Sequence, residues 1–194
     1  MSIRRELLSV VLLSTLALCI PSSVVADAVV SAGSANVDTG ASFDIPVSVS
    51  QVSDLYAYEF DLSFDPAILE LLSISEGPLL PGTGTTFFLP GTIDNTAGTA
   101  TFTSDSLVGP VSGASGNGEL AVFTFEALSG GTSALKLSNV TLLDSGLNDI
   151  VFGTTDGQAI VSGEGVPEPS PLPVLAVILA CTIPVARKLR KRAL

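Results

Sequence analysis

Histidine and tryptophan are absent from the 194 residues, and the chain holds only two cysteines, two tyrosines and one methionine. Both cysteines, Cys19 and Cys181, lie in terminal apolar segments rather than in the middle of the chain. The stretch between those segments therefore has neither Cys nor His. That excludes disulfides, Cys- or His-ligated zinc, thiol nucleophiles and imidazole acid–base chemistry there. Positive charge is almost as scarce. Of eight basic residues, Arg4 and Arg5 open the chain, five cluster at its end, and Lys136 stands alone between them. All but three of the nineteen acids (Glu6, Glu164 and Glu168) fall within residues 27–163, sixteen against one Lys, a net charge of −15. A surface this acidic repels phosphate backbones and excludes nucleic acid as a partner, while cations and neutral polymers stay open.

What is present at the two ends reads as processing signals. Arg4 and Arg5 precede an apolar-leaning run from Leu7 to Ile20, and Val24-Val25-Ala26 forms a small-residue cleavage site before Asp27. Charged start, short apolar core and small-residue exit are the three parts of a secretory signal peptide, assigned to residues 1–26 with cleavage between Ala26 and Asp27. The run is too short for a comfortable membrane span. A lipoprotein signal built on Cys19 is the rival reading, and the bulky Leu18 before that cysteine argues against it.

At the other end, a Pro-rich linker (164–171) carries Pro167-Glu168-Pro169, an apolar run follows over residues 172–186, and a basic tail (187–194) closes the chain. Arg187, Lys188, Arg190, Lys191 and Arg192 would stop translocation and stay in the cytoplasm. Fifteen residues interrupted by Pro173 and Pro184 make a short, poorly formed transmembrane helix, suited to a temporary anchor. This three-part tail resembles the PEP-CTERM sorting signal. The resemblance implies recognition by an integral-membrane exosortase, transient insertion in the inner membrane of a Gram-negative-type bacterium, and transfer to the outer surface or extracellular matrix. A Gram-positive cell-wall signal is the close competitor, but Leu172-Pro173-Val174-Leu175-Ala176 lacks that motif's Thr-Gly. A permanent single-span anchor is the plainer alternative.

Residues 27–163 read as β-structure. Phe43, Ile45, Val47 and Val49 alternate with Asp44, Pro46, Ser48 and Ser50, and Tyr56, Tyr58, Phe60, Leu62 and Phe64 alternate with Ala57, Glu59, Asp61 and Ser63. Period two places one face on a core and the other in water. Further strands are expected over 99–103, 120–127, 134–140 and 158–161, separated by Gly- and Ser-rich turns at 109–118 and 129–133. No stretch repeats with helical period. One short helical turn is expected at Asp65–Leu69, with Asp65 as N-cap and Pro66 at the first helical position. Many short strands parted by turns make an all-β sandwich or barrel.

These residues also carry a family likeness. Tyr58–Pro66 with Leu69-Glu70 and Gly77, then Asp94-Asn95 with Gly98-Thr99, and Gly118–Phe125 resemble, in order, the strand-and-turn signature of cohesin domains. The resemblance implies a nine-stranded jelly-roll sandwich with Phe60, Leu62, Phe64, Phe123 and Phe125 in its core. It also implies kinship with carbohydrate-binding modules and a dockerin-bearing partner. In that family the partner contacts come from an exposed sheet face with no short motif.

Candidate chemistry is thin. Asp61 with Asp65, or Asp54 with Glu59, would suit glycoside hydrolysis only as a spaced pair in a cleft, and their strand and cap positions explain them without catalysis. A Ser–Lys dyad would need Lys136, which reads as an outward strand residue blunting an edge. The acidic loops Asp144–Asp149 and Asp94-Asn95 are the candidates for a structural Ca²⁺, set against a merely solvated acidic surface; no metal-ligand residues are assigned. Phe87-Phe88, in a Gly/Thr/Pro-rich segment, is the candidate ligand platform, set against the reading that the pair tucks under its own loop. The expectation is an exported, non-catalytic surface or matrix protein. Its domain would bind a dockerin-type partner or, alternatively, an exopolysaccharide, or would serve as a passive acidic matrix component.

Overall fold

The computed structural model describes residues 27–163. The expected signal helix, the Pro-rich linker, the short apolar span and the basic tail lie outside the described residues. Ten strands run in order: β1 (Ala28–Ala32), β2 (Ala35–Asp38), β3 (Ser42–Ser63), β4 (Leu69–Glu76), β5 (Thr92–Asp94), β6 (Thr99–Ser106), β7 (Ala114–Ala127), β8 (Gly131–Asp144), β9 (Phe152–Thr155) and β10 (Gly157–Ser162). No helix occurs among the described residues. The expected all-β sandwich is what forms, with ten strands where the family likeness implies nine. Only Asp156 parts β9 from β10, and its carboxylate accepts the Leu137 amide at 3.1 Å.

The two alternating segments of the sequence are halves of one strand. β3 bends at Gln51 (φ 56°) and Asp54 (φ 59°), both left-handed. Each bend is tied to β7: the Gln51 amide donates to Asn117 Oδ1 at 2.8 Å and the Asp54 amide to Ser115 Oγ at 3.0 Å. The first half of β3 pairs with β1 and β7, and β7 carries β4 on its other side. The second half pairs with β6 and β8, which lead to β5 and to β10 and β2. A single bent strand thus serves both layers.

The core sits between them. Ile45, Val47 and Val49 come from the first half of β3, Phe60 and Leu62 from the second, and Leu120, Phe123 and Phe125 from β7, all essentially buried. Phe60 meets Phe123 at 6.0 Å between ring centroids, and Phe64 stands edge-on to Phe125 at 5.2 Å. Burial of each such ring contributes roughly 1.5–3 kcal/mol, and the pairing geometry adds to it. Among the described residues the buried apolar side chains, from Ala28 to Val161, form one core.

One expected element changes character. Asp65 does cap a turn, its Oδ1 accepting the Ala67 amide at 2.9 Å and its carbonyl accepting Leu69 at 3.0 Å. The chain does not continue as helix, because Leu69–Glu76 is taken up by pairing with β7. At the next turn Gly98 has φ +71° and its carbonyl accepts the Phe64 amide at 2.8 Å. A Cβ there would lie 2.3 Å from the Phe64 carbonyl oxygen, so only glycine closes this corner.

Candidate functional site

The outward face of β8, β3 and β6 is extended by residues 85–90, which lie along the free edge of β6. Phe87 donates its amide to Ser106 O at 2.8 Å, Leu89 donates to Ser104 O at 2.8 Å, and Ser104 returns a bond to Leu89 O at 3.0 Å. Strand alternation then sorts this strip. Thr86 and Phe88 turn inward, Phe88 packing on the core, while Phe87 and Leu89 turn outward. The expected Phe87–Phe88 platform is therefore split: Phe87 is 61% exposed and Phe88 is half-buried beneath its own strip. The partner that Phe87 finds instead is Phe102 of β6, 54% exposed. With Leu89, Ala57, Thr141 and Leu143 they line an open groove of about 270 Å³.

Phe102 faces outward because β6 bulges there. Between the Phe60–Thr103 and Leu62–Ala100 pairs, Asp61 opposes two residues, Thr101 and Phe102. On the other side of β3 a second bulge, at Asn139-Val140 of β8, opposes Phe60, next to the Asp61–Ser138 pair. Both bulges carry a left-handed residue, Phe102 at φ 62° and Asn139 at φ 50°. The Asp61 carboxylate holds both. Its Oδ1 accepts the Phe102 amide at 2.7 Å and its Oδ2 accepts Asn139 Nδ2 at 2.6 Å. A bulky residue at positive φ is strained, and such strain persists only where surrounding structure imposes it. Here a charge-assisted pair of hydrogen bonds imposes it, and the result is a phenyl ring aimed into solvent.

The other acidic candidates are likewise occupied with backbone. Asp54 Oδ1 accepts the Gly113 amide and its Oδ2 the Ser145 hydroxyl, both at 2.6 Å. The Ser145 hydroxyl first, then the Gly113 amide, hold the Asp54 carboxyl below its ordinary pKa. In the 144–149 loop, Asp144 Oδ1 accepts the amides of Gly146 at 2.8 Å and Asn148 at 2.9 Å, and those Asn148 bonds hold its pKa down as well. Asp94 Oδ1 caps Thr96 and Ala97, and Asn95 bonds both backbone groups of Leu71. The carboxylates of these loops accept backbone and side-chain donors, and no group of three His, Cys, Asp or Glu side chains placed to hold a metal occurs among the described residues. Lys136 stands exposed on β8 opposite Ser63, as an outward strand residue should.

The groove residues Leu89 and Phe102 were not legible beforehand. Phe102 follows the parity of buried Ala100 in sequence, and only the bulge turns it outward.

A model of the cohesin domain matches residues 28–161. The chain belongs to the cohesin-domain family. Among solved structures, it is similar to a non-cellulosomal cohesin from the archaeon Archaeoglobus fulgidus, with 19% identity and a TM-score of 0.59 over 72% of this chain and 94% of that one. It is also similar to the third cohesin ScaC of Acetivibrio cellulolyticus, solved in complex with the ScaB dockerin (20% identity, TM-score 0.57, covering 69% and 98%). A third is CaCohA2 from Clostridium acetobutylicum, solved in solution (20%, 0.57, covering 72% and 93%). No curated protein matches the sequence. The family model spans residues 28–161, the same stretch that supplies the buried core among the described residues.

Proposed function

We propose that this cohesin domain is a non-catalytic docking module that takes a dockerin-bearing protein on the outward face of β8, β3, β6 and the 85–90 strip. The observation that carries the reading is the groove in which Phe87, Leu89 and Phe102 stand exposed together on an acidic domain. Exposed aromatic residues in a shallow concavity are the residue type and place where interface energy concentrates. The strained Phe102, held out by Asp61, adds to this, since a ring without a use would not need such holding. The ScaC relative in complex with a dockerin supports the choice of partner class.

Delivery belongs to the same proposal. Residues 1–26 act as a signal peptide, and Pro167-Glu168-Pro169 with the apolar run and basic tail acts as an exosortase-processed anchor. The mature form resides at the outer surface or in the extracellular matrix. Intact-mass analysis of natively secreted protein tests this: a mature species should lack Cys19 and Cys181, and one retaining residues 172–194 would overturn the sorting reading.

Two exposed phenyl rings on one open face also favour a second reading, an exopolysaccharide-binding platform. One experiment separates the two. Recombinant 27–163 is used as bait against the producing cells' culture fluid and matrix, alongside Phe87→Ala and Phe102→Ala. A dominant dockerin-bearing protein, lost with either variant, supports docking. Enriched polysaccharide with no stoichiometric protein reverses the ranking.

A further inference from the structure

On β6 the buried positions are Ala100, Thr103 and Asp105. Asp105 is only 3% exposed, and its Oδ2 has no hydrogen-bond donor within reach. Its Oδ1 accepts the amide of Ser106 at 2.8 Å. An unpaired buried carboxylate oxygen is costly unless it is neutralised. The group that faces it is another acid, Glu76 at the end of β4, in hydrogen-bonding contact across the sandwich. Glu76 Oε1 in turn accepts the hydroxyl of Thr86 at 2.5 Å. Thr86 is the inward neighbour of Phe87 in the strip that walls the groove.

We propose that buried Asp105 holds a proton in a hydrogen bond to the half-buried carboxylate of Glu76, and that this proton ties the hold on the 85–90 strip to pH. Two carboxyls in contact cannot both ionise in a low-dielectric site, so one keeps its proton and donates it to the other. The described surroundings offer no counter-charge. β3 brings the Tyr58 phenol, which already donates to the Leu120 carbonyl. β7 brings that carbonyl, and the strip brings the Thr86 hydroxyl and the Phe87 amide. The one basic side chain of the domain, Lys136, is exposed on β8. Burial first, then Glu76, pushes the Asp105 carboxyl up to about 7, with the amides of Ser106 and Phe87 pulling the other way and losing. Loss of that proton sets two charges against each other beneath Thr86. The strip carrying Phe87 and Leu89 is the element free to yield, since it is held by a few edge bonds to β6. The consequence for partner binding rests on the docking reading above; the proton site does not.

The sign is fixed by the direction of the shift. A carboxyl protonated more readily in the closed state than in the open one favours closure at low pH and loses that advantage as pH rises from about 4 to about 7. The test is pH-dependent amide exchange at Phe87 and Leu89 in residues 27–163, corrected for intrinsic rates, in the wild type, Asp105→Asn and Glu76→Gln. In the wild type, strip opening should rise with pH across that window, by up to roughly tenfold per unit, and level off above it. Asp105→Asn, which supplies a permanent donor, should flatten the profile. Identical profiles in wild type and Asp105→Asn overturn the proposal. So does full protection of the wild type at pH 8 on adding Ca²⁺, which would make the pair a cation site. Should Asp105→Asn fail to fold, carbon NMR titration of the Asp105 carboxyl in the wild type decides. A midpoint near 7 supports the pair, and one near 4 overturns it. Because no partner is present, failure here leaves the docking reading intact. Partner capture by the wild type at pH 5.5 and 8 then tests the coupling alone.

Discussion

Phe102 concentrates the conflict between stability and use in this domain. Its backbone lies at φ 62° and its ring is half in water, so the folded state gains little from the side chain and carries the strain of its conformation. Left-handed geometry costs a non-glycine residue about 1–2 kcal/mol. Phe102→Gly should therefore raise the denaturation midpoint of 27–163, by the equivalent of about 1 kcal/mol, while capture of the partner is lost. Urea unfolding and the pull-down, run on one preparation, check both halves; a destabilised variant would mean the ring is structural. Asp61 is the complement. Asp61→Ala strips two charge-assisted bonds from two bulges and should cost about 1.5–3 kcal/mol. Titration adds an acid limb to the alkaline loss that Asp105 produces. Asp54 and Asp144 have lowered pKa values, so the stability they contribute is present above the ordinary carboxylate range and is lost as pH falls below it. With Asp105 raised to about 7, stability should peak between these limbs, near pH 4–5, in a thermal-melt series.

At the level of elements, legibility followed solvent contrast. Ile45–Val49 and Tyr58–Phe64 alternate because one face is wet and the other dry, and both stretches lie where that pattern places them. The short strands β1, β2, β5 and β9 do not stand out in the sequence, since three to five residues bounded by small polar ones carry too little periodicity. β4 was hidden for another reason: its Leu69-Glu70-Leu71-Leu72 start reads equally well as the end of a helical turn, and only pairing with β7 decides it. The candidate site was half legible. Phe87 was found from an aromatic pair in a loop-like segment, but strand geometry along β6 turned Phe88 the other way. The bulges that expose Phe102 depend on Asp61 meeting Asn139 from 78 residues away, which no local pattern encodes. β4 also yields a prediction. Its outer edge is closed at Leu71 by Asn95, whose Oδ1 accepts the amide at 2.9 Å and whose Nδ2 donates to the carbonyl at 3.0 Å. Asn95→Ala leaves both groups open beside exposed Leu72. It should cost about 1–3 kcal/mol and raise the rate of light-scattering aggregation on warming.

At the scale of the molecule, charge was the most legible property and the one with the longest reach. Sixteen acids and one Lys on residues 27–163 make a self-repelling particle, in which salt should stabilise the fold rather than weaken it. None of the acids has a neutralising partner of opposite sign to lose except by way of Lys136, so screening acts almost wholly on repulsion. The same field selects partners. A ligand that approaches the groove crosses a negative potential, so a docking protein should present basic residues around an apolar anchor that fills the space between Phe87 and Phe102. Two consequences follow for one titration with NaCl. The thermal midpoint of the free domain should rise with salt, while the association rate with its partner should fall by tenfold or more between low and high ionic strength. Dissociation, governed by the buried rings, should change little. A partner whose association rate is insensitive to salt would be neutral and would favour the polysaccharide reading, in which the acidic surface keeps the domain soluble and apart while the phenyl rings alone make contact.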